Sequence, residues 1–541
     1  MSPVFSDGFK HESLPNKTIF DYADFLKIRV PTACSRNGSC HECIVHIKNG
    51  KDALSPLSES EDFLKEGYRL ACQATVQDLD SVVEFSTLRR QPRILTKSIS
   101  RDIESSPKVT IKNGRVFIDE IDSDTYRGKI LGLSGDIGTT TVVLKIVDLE
   151  NMKPLITSSF ENPQRFGGSD VMNRISYDSG ENQGELQNVL VAAINFEIGE
   201  MCKNISAHRR QIYDCVLVGN TTMRDILFGI NVEPVGQKPY KSIIQTDFEN
   251  GNRTNTSIEQ SAETLGIRIF PKARVYSGPL ISSHIGSDIA ADLLTIQIDE
   301  SDSNIMLVDV GTNTEVIIGN QNKMYASSCP AGPAFEGGEV KYGMPGYDGA
   351  VEKLEIINGS VISETIGNQP AEGICGSGLV DLLAELRKSN LMNDLGVLSD
   401  NKQEFEFDSS RKMTISKADI SSLAQAKSAN YCGQYITLRK FGLPVDSIDY
   451  LYLAGGFANY INSQNAVDIG FIANFPPEKI KKVGNASLEG ATLMLKSTKL
   501  RDRIEKICSN IQHVELETTP DFFEIFVEGC MFKAMPKNFT N

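Results

Sequence analysis

The chain lacks any apolar run approaching the roughly 18 residues needed to cross a bilayer, so a membrane-spanning protein is not expected. Met1 to Lys10 lacks both the basic start and the apolar stretch of a secretory signal, from which a cytoplasmic location is expected. Positive charge is also short. Against 70 Asp and Glu stand 55 Lys and Arg, a formal net charge of -15 that opposes nucleic acid, whose binding rests on neutralised phosphates. Proteins and small ligands are the expected partners. At roughly 150 residues per domain, 541 residues suggest several units rather than one core.

Cysteine, by contrast, is plentiful: there are 11, and in a chain expected to keep its thiols reduced, grouped cysteines point to metal or catalysis. Cys202, Cys215, Cys329, Cys375, Cys432, Cys508 and Cys530 are scattered and are read as small buried apolar residues. The others are grouped as Cys34-x5-Cys40-x2-Cys43-x28-Cys72. Helical spacing over 17–28 leads into this loop, a strand is expected from Cys43 to Ile47, and residues 68–76 close in strand-like fashion. Three thiolates on one tight loop can wrap a cluster whose fourth ligand arrives from a distant strand. Gly38 and Ser39 suit a loop that brings backbone N–H donors toward sulfur.

A structural zinc site, a redox-active Cys40-x-x-Cys43 pair and four unrelated thiols compete with this reading. Zinc sites more often use paired C-x2-C modules, and a thioredoxin-like pair needs a βαβ context that is missing. A Rieske site would put His41 and His46 in place of two cysteines that are already available. The pattern resembles plant-type 2Fe-2S ferredoxins with one extra loop residue, closest to the adrenodoxin-like branch. That resemblance implies a β-grasp ferredoxin-like domain over residues 1–93, with Cys34, Cys40, Cys43 and Cys72 as cluster ligands that carry the electron.

Residues 94–128 are mixed and charged and read as a linker, with short strands at Lys108 to Ile111 and Arg115 to Ile118. From Lys129 onward apolar strands, glycine turns and helical stretches alternate, the pattern of an α/β fold. The segment ILGLSGDIGTTTVVLKIVD (Ile130 to Asp148) is echoed by IMLVDVGTNTEVIIGN (Ile305 to Asn320), which suggests two similar lobes, 129–300 and 301–541. An Asp-x-Gly-Thr hairpin offers N–H groups and hydroxyls to phosphate oxygens, while its carboxylate can hold Mg2+ through water. One such turn is weak evidence; a facing pair would clamp a nucleotide. The candidates are Asp136, Gly138, Thr139 and Thr140 in the first hairpin and Asp309, Gly311, Thr312 and Asn313 in the second. Leu453 to Phe457 would lay Gly455 and Gly456 against adenine and ribose. Val483 to Ala491 reads as the start of a closely packed helix. Ser377, in Gly373 to Gly378, either caps a helix or touches phosphate.

Residues 130–535 resemble the superfamily of acetate and sugar kinases, heat-shock chaperone ATPases and actin. A narrower likeness rests on Phe166 to Ile175, Val218 to Met223, Ile285 to Ile289, Ala331 to Gly338 and Gly373 to Gly378, together with the cysteine domain. With these the whole chain resembles the reductive activators of corrinoid-dependent methyltransferases and O-demethylases. The resemblance implies an α/β multidomain protein: a ferredoxin-like domain, a linker and a two-lobed actin-like ATPase fold. It also implies ATP-dependent one-electron reduction of Co(II) to Co(I) in a corrinoid protein, with a 2Fe-2S cluster, ATP and Mg2+ as cofactors and a low-potential electron donor. It leaves a homodimer open.

Two features depart from the family: Ser35 and His41 stand where many relatives have glycine, and no second cysteine cluster is present. Activators with C-terminal 4Fe-4S clusters are therefore a poorer match. Ser327, Ser328 and Ala331 to Gly338 are candidates for a partner-facing surface, against plain lobe packing, and Phe166 to Arg174 is either interface or core. Two other functions remain open: an ATPase activator of another low-potential metalloenzyme, and a redox-sensing nucleotide-binding regulator.

Overall fold

Short alternating segments at the N-terminus close into a sheet of five strands: β1 (Pro3–Ser6), β2 (Phe9–Glu12), β3 (Ile44–Asn49), β4 (Tyr68–Leu70) and β5 (Val83–Thr87). Their order is β2-β1-β5-β3-β4, with β1 and β5 parallel. Helix α1 (Ile19–Phe25) begins at a reciprocal Thr18/Asp21 cap and buries Ile19, Phe20, Tyr22 and Ala23. This is the β-grasp arrangement expected of a ferredoxin-like domain. The computed structural model describes residues 2–539 except 7, 8, 29, 31, 33, 35, 39, 40, 42, 88–102, 283 and 457.

The segment read as a linker is itself folded where it is described. Strands β6 (Val109–Lys112), β7 (Arg115–Ile118) and β8 (Ile121–Thr125) form an antiparallel sheet, so the two short strands expected there are present and a third joins them. Val109, Val116 and Ile118 are buried in the core between the two lobes, which gives the segment apolar surface to fold against.

The first lobe is built on β9 (Leu131–Ile137), β10 (Thr141–Asp148), β11 (Lys153–Glu161), β12 (Ile212–Val218), β13 (Ile258–Ser261) and β14 (Arg274–Ser277). The second is built on β15 (Ile305–Val310), β16 (Thr314–Asn320), β17 (Lys323–Cys329), β23 (Tyr450–Ala454), β24 (Ile480–Gly484) and β25 (Ile511–His513). Between β17 and β23 lie two small sheets, β18 (Ala350–Ile357), β19 (Ser360–Thr365) and β20 (Gly373–Ile374), then β21 (Glu404–Asp408) and β22 (Met413–Ser416).

The sheet orders are β11-β10-β9-β12-β14-β13 and β24-β23-β15-β16-β17-β25. In each, an antiparallel three-strand meander continues into two parallel strands, β12 and β14 in one lobe and β23 and β24 in the other. The short sequence echo therefore marks a repeated topology. Asp136 and Asp309 both sit at the carboxyl ends of central strands, opposite Val218 and Ala454, where open α/β sheets place their ligands.

Helices α2 (Val171–Asp178), α3 (Glu185–Asn204), α4 (Thr221–Leu227), α5 (Ile243–Glu249) and α6 (Ser287–Ile296) belong to the first half. The second half has α7 (Gly376–Lys388), α8 (Lys417–Phe441), α9 (Ser463–Asp468), α10 (Ala486–Lys496), α11 (Thr498–Ser509) and α12 (Phe522–Gly529). Among the described residues no helix is long and apolar enough to cross a membrane.

Helices α6 and α10 fill the space between the two sheets, and they cross where Gly490 leaves room. A Cβ there would lie 2.1 Å from the carbonyl oxygen of Ala291. This is the close packing expected of the Val483 to Ala491 segment. Thr295 Oγ1 donates to the Ala486 carbonyl (2.8 Å) and Ser487 Oγ to Asp292 (2.9 Å). Gly490→Ala is expected to destabilise the ATPase domain by about 1–3 kcal/mol by overpacking against backbone, read as a lower denaturant midpoint.

Candidate functional site

The pairing of β3 with β4 sets Ile44 opposite Leu70, and this register brings the cysteines flanking those strands together. Cys43 Sγ lies 3.4 Å from Cys72 Sγ, and the Ala71 amide donates to the Cys43 carbonyl at 2.8 Å. Gln73 Nε2 donates to Cys72 Sγ at 3.3 Å, and the Gly38 amide also points to that sulfur. The Cys43 thiol, with these donors, pulls the Cys72 thiol down to about 6 against its burial. Gly38 has φ +89°, and a Cβ there would meet Ser60 Oγ at 2.9 Å, so the loop can approach this closely only through glycine. Cys34 is half-exposed and near enough for its charge to oppose ionisation of Cys72, while Cys40 lies outside the described residues. Among the described residues no group of three or more His, Cys, Asp or Glu side chains is placed to hold a metal ion. Adjacent buried sulfurs that favour thiolate and receive N–H donors nevertheless fit a thiolate-ligated cluster.

The two histidines near the cysteines, His41 in the loop and His46 on β3, are engaged elsewhere. His46 packs on Tyr68 (5.0 Å between ring centroids). His41 stacks on Phe63 (4.2 Å) and its Nδ1 bonds Glu185 at the start of α3 (3.1 Å). Phe63 meets Phe166 edge-on at 5.7 Å, and Tyr177 Oη donates to the Phe63 carbonyl. The cysteine domain thus rests on the first lobe through Phe166 to Arg174, a segment that is both interface and core.

The two Asp-Gly-Thr hairpins face each other across a cleft with about 820 Å3 of open space. Each turn is closed by a backbone bond, Gly138 N to Thr141 O (3.0 Å) and Gly311 N to Asn313 O (3.1 Å). Thr140 Oγ1 and Thr312 Oγ1 approach to 3.5 Å. The first hairpin is held from below: Asn162 Nδ2 donates to the Gly138 carbonyl (2.8 Å) and the fully buried Arg174 to the Thr139 carbonyl (2.6 Å). Asn220 Nδ2 donates to Thr139 Oγ1 at 3.0 Å. Asp136, Gly138, Thr139, Thr140, Asp309, Gly311, Thr312, Asn313, Gly455 and Gly456 all line this one cleft.

The carboxylates of the cleft raise one another. Burial, aided by Asp309 and only partly offset by the Asn485 amide (2.8 Å), pushes Asp136 up to about 7. Burial and then Asp136 push Asp288 up to about 8, and burial brings Asp309 to about 6. Asp292 and Glu315 are displaced upward by burial, with the neighbouring Asp309 and Asp288 adding to it. A divalent cation arriving with its ligand and held through water would reverse this logic. Sequence reasoning missed Asp288, Asp292, Glu315, Glu336 and Asn485. Asp288 falls inside a segment noted only for family likeness and Glu336 inside one read as partner-facing or lobe packing, and acidic residues carry no spacing signal of their own.

The glycines divide their work. Gly455, at φ +103°, presses on the second hairpin, where a Cβ would lie 2.1 Å from the Val310 carbonyl oxygen, whereas Gly456 is open to the cleft. Phe457 lies outside the described residues. A second, more apolar cavity adjoins the first at Gly456 and is lined by Phe335, Met344, Ile366, Cys375, Ser377 and Tyr460 among others. Ser377 is not the α7 cap, which is Cys375; it lines this cavity. Ser327 is fully buried, its hydroxyl paired with Thr437 (2.7 Å), so it faces α8 rather than a partner. Ser328 donates to Glu315 (3.0 Å). Of the scattered cysteines, Cys530 alone is only partly buried.

Three family models match the chain. Residues 6–77 match the 2Fe-2S iron-sulfur cluster binding domain, 131–301 the RACo middle region, and 303–541 the C-terminal domain of RACo, the ASKHA domain. The chain is 29% identical to the corrinoid activation enzyme RamQ of Eubacterium limosum, over 95% of this chain and 96% of that one. It is 22% identical to a [Co(II) methylated amine-specific corrinoid protein] reductase of Methanosarcina barkeri, over 73% and 76% respectively. A solved structure, a reductive activator for corrinoid,iron-sulfur protein, superposes with a TM-score of 0.72 at 26% identity, covering 99% of each chain. Iron and acid-labile sulfide in equal amounts, with a low-temperature EPR signal on reduction, are expected of the isolated protein and not of Cys72→Ser; zinc without sulfide would overturn the cluster assignment.

Proposed function

The chain belongs to the RACo family of reductive activators, and from that premise we propose that it returns a corrinoid protein from inactive Co(II) to Co(I) by one-electron reduction coupled to ATP. When bound, the 2Fe-2S cluster supplies a one-electron carrier and Mg-ATP the free energy for an uphill transfer, each roughly 59 mV of gap costing about 1.4 kcal/mol. The chain's own residues provide placement. Cys34, Cys40, Cys43 and Cys72 hold the cluster, and the Gly38 and Gln73 donors favour its more negative state. Asp136 and Asp309 take Mg2+ through water. Gly138, Thr139, Thr140, Gly311, Thr312 and Asn313 take phosphate oxygens, and the nucleoside lies past Gly455 and Gly456 in the apolar cavity.

The observation that carries this reading is the seat of the cysteine domain. His41 and Phe63 rest on Glu185 and Phe166, and the segment beginning at Phe166 supplies Arg174 to the Thr139 carbonyl of the first hairpin. Electron carrier and nucleotide hairpin thus share one support. Because the hairpins belong to different lobes, nucleotide binding biases lobe closure, and it can drive reduction only if the closed form prefers the Co(II) partner to the Co(I) product. In this reading the protein works in the cytoplasm beside its partner and is reloaded by a separate low-potential donor.

Anaerobic mixing of the reduced protein with a Co(II) corrinoid protein should produce the Co(I) absorption spectrum with Mg-ATP and far less without it. If Co(I) never appears under any donor or nucleotide condition, the activator reading is wrong. Asp309→Ala is expected to abolish ATP turnover while leaving the cluster spectrum intact; retained turnover would remove that aspartate from the site.

A further inference from the structure

Between the two hairpins, where nucleotide phosphate is expected, the chain has placed an anion of its own. The Glu336 carboxylate accepts a hydrogen bond from Thr140 Oγ1 of the first hairpin (2.8 Å) and another from Thr312 Oγ1 of the second. Both hydroxyls donate to the same oxygen, Oε2, and they stand 3.5 Å apart. One carboxylate oxygen thus gathers one donor from each lobe, which is what a phosphate oxygen would do between Asp-Gly-Thr hairpins. Burial pushes the Glu336 carboxyl up, while the Thr312 and Thr140 hydroxyls, and then Arg174 and Arg165 beneath the first hairpin, favour its charged form.

Glu336 belongs to neither hairpin. It ends the turn Ala334–Glu336 in the segment that follows β17, and that segment is fastened along its length. The Gly332 amide donates to the Thr312 carbonyl (2.9 Å) and the Met344 amide to the Ile374 carbonyl (3.0 Å). The Lys341 amide donates to Asp419 in the first turn of α8 (2.9 Å). Gly337 adopts φ +90°, and a Cβ there would strike the Met344 backbone at 2.5 Å, so the segment doubles back on itself. Phe335 packs on Phe471 at 4.9 Å. The carboxylate therefore cannot leave the hairpins without moving a segment tied to the starts of α7 and α8.

We propose that Glu336 is a built-in stand-in for nucleotide phosphate: ATP enters by displacing its carboxylate from Thr140 and Thr312, and the displaced 332–344 segment carries the nucleotide state into the second lobe. This rests on the ATP reading above. Two anions cannot share the same pair of hydroxyl donors, and like charges brought together repel strongly. Without nucleotide the carboxylate ties the lobes across the cleft; with nucleotide the phosphate assumes that role and the segment is freed.

The test titrates Mg-ATP and Mg-ADP into the full-length, cluster-loaded protein by calorimetry, comparing wild type with Glu336→Gln and Glu336→Ala. Unchanged far-UV circular dichroism and thermal unfolding of the ATPase lobes, together with unchanged cluster absorption, establish that the variants are folded. Both variants are expected to bind nucleotide about tenfold more tightly, since the competing charge is gone. In wild type, Mg-ATP should speed amide hydrogen exchange across 332–344, and Glu336→Ala should show that faster exchange without nucleotide. Equal or weaker affinity in both variants overturns the proposal, including the case where turnover is lost at unchanged affinity and Glu336 serves hydrolysis instead. A wild-type protein that binds no nucleotide overturns the ATP reading itself, a result distinct from wild-type binding that the variants leave unchanged.

Discussion

The crossing of α6 and α10 is the contact on which the remaining geometry depends. Gly490 lets the two backbones meet at Ala291, and hydrogen bonds from Thr295 and Ser487 lock the crossing. Helix α10 is also tied to the first sheet, through Ser134 with Thr492 (2.9 Å) and the buried Lys145–Glu489 pair (3.1 Å). A helix from the second half of the chain is thereby built into the first lobe, and both sheets are referred to one buried axis. The N-terminal ends of both helices open into the cleft, bringing Asp288 from α6 and Asn485 and Ser487 from α10 beside the hairpins. Their positive dipole ends suit a site made for phosphate.

That geometry concentrates negative charge. Asp136, Asp288, Asp292, Asp309, Glu315 and Glu336 are all displaced upward, with burial the largest cause for each. A cleft arranged in this way is poorly suited to a free anion and well suited to one that arrives with a cation, the form in which nucleotides are bound. Asn485, Thr140 and Thr312 offset part of the repulsion by donating to carboxylates. A Cβ at Gly455 would press on the Val310 carbonyl and also meet Asp309 Oδ1 at 2.9 Å, and loss of Arg174 would remove both the support under Thr139 and a positive charge near Glu336.

The same cleft reaches the cysteine domain by a short physical path. From His41 the contacts run through Phe63 to Phe166, and from the Phe166 segment through Arg174 and Asn162 to the first hairpin. The links are ring contacts, the chain from Asn162 to Arg174, and hydrogen bonds that are buried or part-buried. Electron storage and nucleotide capture are therefore mechanically adjacent, although their residues are far apart in the chain.

Chemistry carried by contiguous residues is legible in the sequence. The Cys34-x5-Cys40-x2-Cys43-x28-Cys72 spacing reads as a cluster loop, and the matched Asp-Gly-Thr hairpins read as a phosphate clamp, because thiolate wrapping and hairpin turns depend on near neighbours. The echo of two short segments even implies two lobes of like topology. Which distant side chains converge is a different matter. Glu336 between Thr140 and Thr312, Asp288 beside Asp136, Gly455 pressed on Val310 and His41 turned toward Glu185 all depend on helix crossing and domain seating, which bring together residues with no shared period or spacing. An electron carrier joined to a nucleotide clamp is thus written in the residue pattern alone. How the clamp closes, and what lies between its jaws, is set by the α6–α10 crossing and the Phe63–Phe166 contact, since only packing across the whole chain can bring those groups within bonding distance.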